Sequence, residues 1–74
     1  MASEREYLEK MSTGQLDYFL DLEAYGRNRL TLSSIYLICE ILARRDPVRG
    51  TARDIFQEYA RQFADRRAFS ADIV

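Results

Sequence analysis

Leu30-Thr31-Leu32-Ser33-Ser34-Ile35-Tyr36-Leu37-Ile38-Cys39-Glu40-Ile41-Leu42-Ala43 is the one strongly apolar stretch of this chain, and its reading decides the fold. At 100° per residue Ile35, Ile38, Cys39 and Leu42 share a broad face, flanked by Tyr36 and Ala43. Ser33, Glu40 and Arg44 mark the opposite side, yet Leu37 and Ile41 fall among polar neighbours. A helix that is apolar nearly all round lies at the centre of a bundle or under a second chain. The stretch is too short to cross a bilayer.

Working outward, Thr31 is placed to cap this central helix, with Leu30 and Ile35 as its hydrophobic staple. Arg44 and Arg45 suit its negative C-terminal end. Pro47 forbids continuation and pushes Asp46 out of the helical region, so Asp46-Pro47-Val48-Arg49-Gly50 is a short connection that folds the next helix back. Thr51 with Asp54 opens that helix. Ala52, Ile55, Phe56, Tyr59, Ala60 and Phe63 form its apolar stripe, with Arg53, Gln57, Glu58, Arg61 and Asp65 toward water. Arg66 and Arg67 interrupt the stripe, and residues 68 to 74 show neither cap nor period, as in a frayed tail or a linker to further sequence.

Toward the N-terminus, Ser3 with Glu6 forms a capping box that starts a short helix through about Met11, with Tyr7, Leu8 and Met11 inward. Ser12 with Gln15 repeats the box, and Met11 can pack on Leu16, which starts a second helix instead of prolonging the first. Gly14 weakens continuity there too. Leu16, Phe19, Leu20 and Leu22 give the second helix its apolar arc, and it runs to about Tyr25, before Gly26. No period-two alternation or hairpin turn signal occurs. The expected architecture is all-α: one bundle domain over residues 1 to 67, with three main helices and a short N-terminal one.

At 74 residues the chain is near the size at which one core supplies only ~3–5 kcal/mol, so burial by a partner is plausible from the outset. Its net charge of −1 is unevenly placed. Residues 1 to 26 set two cations against six acids, and residues 27 to 74 set nine arginines against six acids. Cys39 is the single cysteine and there is no histidine, so no disulfide and no Cys/His zinc set can be drawn. On an apolar helical face Cys39 reads as a small core residue, with a reactive thiol as the alternative. The first residues carry no basic run followed by an apolar one, which points to a cytoplasmic chain.

No phosphate loop, nucleophile elbow or Cys-x-x-Cys is present, and no catalytic residue, metal ligand or cofactor is expected. Asp17 and Asp21 share a helical face; they read as a solvated face near a helix start, with paired-carboxylate chemistry as the alternative. The tyrosines at 7, 18, 25, 36 and 59 fit either core edges or interface anchors. Leu37 and Ile41 leave an apolar edge on the outer face of the central helix, beside Tyr36. A first helix could cover that edge, as could a second copy or a partner helix; these three residues are the candidate interaction site. A protein partner or self-association is therefore the leading expectation.

The alternative is a small DNA-binding protein. Arg44, Arg45, Arg49 and Arg53 cluster around the turn between the last two helices, as in a helix-turn-helix. The outward Asp54, Glu58 and Asp65 of the following helix oppose that reading, because they would repel phosphate.

Residues 12 to 21, Ile35-Tyr36-Leu37-Ile38-Cys39-Glu40-Ile41-Leu42-Ala43-Arg44-Arg45 and Ile55-Phe56-Gln57-Glu58-Tyr59 together form a pattern that resembles a known one. It is similar to the N-terminal cytoplasmic helical segment of single-pass membrane proteins of clostridia-like bacteria, anti-sigma-factor-like or uncharacterised. The likeness covers roughly residues 5 to 63. It implies a regulatory docking module with a transcription-factor-like partner, and a membrane helix downstream. Where that pattern has an acidic stretch between its second and third helices, this chain has Arg27-Asn28-Arg29.

Overall fold

A computed structural model describes the backbone of residues 3 to 24 and 29 to 73, and the side chains of these as far as Gln62. Four α-helices occupy it: α1 (Glu4–Glu9), α2 (Thr13–Ala24), α3 (Leu32–Arg45) and α4 (Ala52–Ile73), with a 3-10 turn over Pro47–Arg49. There is no strand among the described residues, and the chain is a small all-α bundle.

Local chemistry sets each helix start. Ser3 Oγ accepts from the Glu6 N–H at 3.2 Å. Ser12 and Gln15 cap reciprocally, Gln15 N–H to Ser12 Oγ at 3.1 Å and Ser12 N–H to Gln15 Oε1 at 3.0 Å. Thr31 Oγ1 takes the Ser34 N–H at 3.1 Å. Thr51 and Asp54 close the same box on α4, at 3.0 and 3.2 Å. Each box satisfies backbone donors that no helical carbonyl can reach. The hydrogen bonds from Thr51 hold the Asp54 carboxyl below its ordinary pKa, with nearby Arg53 adding to the effect.

α3 is the spine. Ile35, Ile38, Cys39, Ile41 and Leu42 are all buried. Leu8 of α1, Leu16 and Leu20 of α2, and Ile55 of α4 close around them in one core. Fully burying a side chain such as Leu16, Ile38 or Leu42 contributes about 1.5–3 kcal/mol against the entropy of ordering the chain. Pro47 ends α3 as its chemistry requires: Asp46 leaves the helical region (φ −137°, ψ 85°) and the chain reverses through the 3-10 turn to Gly50 at φ 115°.

Helix order follows from the cross-links. Arg5 bridges Glu40 at 3.1 Å and Arg44 approaches Glu9 at 3.5 Å, so α1 runs parallel to α3. Arg49 bridges Asp17 at 2.9 Å, tying the turn after α3 to the first half of α2. α2 and α4 therefore both run antiparallel to the spine.

Two expectations change. Tyr7 is not inward: it is 61 % exposed, because Tyr7 and Leu8 lie 100° apart on α1 and only Leu8 can face α3. Residues 68 to 73 are helical, since α4 continues to Ile73. No glycine or proline follows Thr51, and alanines and arginines propagate a helix once it is nucleated. α2 is described as far as Ala24; Tyr25 and Gly26, where the sequence puts its end, lie outside the described residues, as do the side chains of Phe63, Asp65, Arg66 and Arg67.

Candidate interaction groove

Leu37, Ile41 and Tyr36 do not form one surface. Ile41 is 3 % exposed and belongs to the core beneath α1, and Leu37 is half-buried against the same core. Tyr36 sits on the α4 side of the spine, its ring centroid 5.7 Å from that of Phe56, which lies 6.2 Å from Tyr59. The reason is angular: Tyr36 and Leu37 are 100° apart, and a helix packs on each side. Ile41, expected on an open edge, is therefore corrected to a core residue; the cover is the chain's own first helix.

The arginine cluster is likewise divided. Arg45 donates from Nη2 to the carbonyl oxygen of Glu9 at 2.8 Å and from Nη1 to Thr13 Oγ1 at 3.3 Å. Arg44 pairs with Glu9 and Arg49 with Asp17. Arg53 is exposed on α4. Parallel packing brings the negative C-terminal ends of α1 and α3 together, and Arg44 and Arg45 stand between them. Placing cations there offsets a repulsion that the helix pairing itself creates.

An apolar groove of about 360 Å³ opens between α1, α2 and the N-terminal end of α3. Tyr7 and Leu8 line one wall, Phe19 another, and Leu30 and Ile38 the floor, with Glu4, Glu23 and Ser34 as its polar members. Glu23 is buried at 2 % exposure. Its carboxylate accepts the Arg29 N–H at 3.2 and 3.3 Å and the Leu30 N–H at 3.3 Å. A buried carboxylate needs such donors. Here they are the backbone that enters α3, so Glu23 latches the connection to the groove floor. The sequence reading passed over this residue. The available signal was its place in the last turn of α2, where an acid opposes the helix dipole and so wants another reason to be there.

A second cleft, about 230 Å³, lies between α2, the 3-10 turn and α4, lined by Asp17, Asp21, Arg49, Ile55, Glu58 and Tyr59 among others. Asp17 is engaged by Arg49 there, and no group of acids, cysteines or histidines suited to a metal ion occurs among the described residues. Burial, the Glu23 charge and Cys39 raise the Tyr59 hydroxyl above its ordinary pKa. Burial likewise pushes the Cys39 thiol up to about 11, so at neutral pH it is a packed, protonated side chain.

No helix among the described residues is long and apolar enough to cross a membrane. The chain matches no protein-family model, no curated protein and no solved structure.

Proposed function

We propose that this chain is a non-enzymatic protein-interaction module that engages its partner through the groove between α1, α2 and α3. The carrying observation is an apolar concavity open to solvent, with Tyr7, 61 % exposed, among the residues that line it. Aromatic residues with a greasy body and a wet tip are favoured interface anchors. A regulatory role in a bacterial cytoplasm, with a transcription-factor-like partner, is the setting that the resemblance of residues 5 to 63 adds.

The test is a photo-crosslinking residue, p-benzoylphenylalanine, in place of Tyr7 in the cell that makes the protein. A covalent adduct with a defined protein is expected. The same residue in place of Val48, 96 % exposed and outside the groove, serves as the control. Equal labelling from both positions, or none from position 7, overturns the reading.

A further inference from the structure

We propose that the groove receives the apolar face of a basic amphipathic helix from another protein, with lysine or arginine beside that face set over Glu4 and in the field of Glu23. This rests on the interaction-module reading and names the partner's chemistry.

Shape comes first. A groove of about 360 Å³ walled by Tyr7, Leu8 and Phe19 accommodates a few large side chains, as supplied by an i, i+3, i+4 stripe. It is at the small end of the range for sites that enclose a whole small molecule.

Charge then selects the flanks. None of the ion pairs among the described residues takes Glu4 or Glu23. Arg5, the nearest cation on α1, is committed to Glu40. Arg29 gives Glu23 its backbone N–H, with no ion pair between the two side chains. Helix ends contribute about half a charge each: the starts of α1 and α3 are positive, and the end of α2 is negative. Against that small positive balance stand, among the described residues, the carboxylates of Glu4, Glu6 and Glu23, with Arg29 as the one described cation at this end. Among the described residues that line it, the groove carries two carboxylates and no cation, and its low-dielectric walls concentrate the field. A basic helix meets this field favourably, whereas an acidic one is repelled.

Fluorescence anisotropy on the full chain tests this with synthetic helical peptides that share one leucine stripe and differ only in flanking lysine, glutamine or glutamate. The lysine peptide is expected to bind saturably and at least about tenfold tighter than the glutamate peptide, with the preference shrinking as salt is raised. Glu4→Gln should reduce the preference, and Tyr7→Ser should weaken all binding while leaving the helical circular dichroism unchanged. Equal binding of the three peptides overturns the inference, as does failure of the lysine peptide to saturate. So does binding that ignores Tyr7→Ser, or a dimer in sedimentation velocity that Tyr7→Ser dissociates. A position-7 crosslink to a protein without a basic helix also removes it, and leaves the interaction-module reading standing.

Discussion

Arg45, the last residue of α3, donates from Nη2 to the carbonyl oxygen of Glu9, the last residue of α1, at 2.8 Å. One helix end thus supplies the donor that the other helix end lacks. Arg45→Ala should destabilise the chain by about 1 kcal/mol, discounted for exposure. Amide exchange should rise first in residues 4 to 9, which an equal loss across all helices would contradict.

The arginine-cluster reading is checked by titration against duplex DNA at several salt concentrations. Because Arg44, Arg45 and Arg49 hold Glu9, Thr13 and Asp17, the triple alanine variant is expected to lose stability by about 1–3 kcal/mol. Duplex binding should be weak before and after. Tight binding by the unaltered chain that falls steeply with salt, and is lost in the triple variant, would instead identify a DNA-binding protein.

Glu23→Ala removes the acceptor for the Arg29 and Leu30 amides and should cost about 2 kcal/mol in urea denaturation. Glu23→Gln keeps one carbonyl acceptor and should lose less. An alanine variant as stable as the parent would mean that water replaces the carboxylate without loss.

Two glycines should respond in opposite directions. A methyl group at Gly14 meets nothing nearer than Ser12 Oγ at 4.0 Å, so Gly14→Ala is expected to stabilise by about 0.4–1 kcal/mol. At Gly50 the backbone has φ 115° and a Cβ would lie 3.0 Å from Asp54 Oδ2. Gly50→Ala should cost about 1–3 kcal/mol, and thermal melts of both variants check the pair.

The thiol gives a pH signature. With Cys39 raised from 9.0 to about 11, the unfolded chain loses that proton first as pH climbs. Its contribution to stability is complete below pH 9 and is lost as pH rises through 11, by roughly 1–3 kcal/mol in all. Subtracting the Cys39→Ala curve isolates it from Tyr59. A difference that stays flat across this window would contradict the burial assigned to the thiol.

Much of the fold was legible because the information was local. Thr31, Ser12 and Thr51 announce helix starts through side chains that reach their own backbone, and Pro47 announces a stop. Ile35, Ile38, Cys39 and Leu42 mark the spine through spacing alone. The candidate site was far less legible. Nothing near Arg44 or Arg45 says that α1 will lie parallel to α3, so their role as a cushion between two helix ends was hidden behind a resemblance to a DNA-binding turn. Tyr7 and Leu8 are adjacent apolar residues on a six-residue helix, too short for a period to say which one faces inward. Glu23 reads as an ordinary helical acid until the chain returns to it at Arg29.

The brevity of α1 has a further result. A helix of six residues does not persist in water by itself and survives only as long as α3 holds it. Its detachment is thus the cheapest opening available to the fold, far short of global melting. Trypsin cutting after Lys10 should report how often it happens, and each such excursion bares Leu37 and Ile41 for as long as the strap is away.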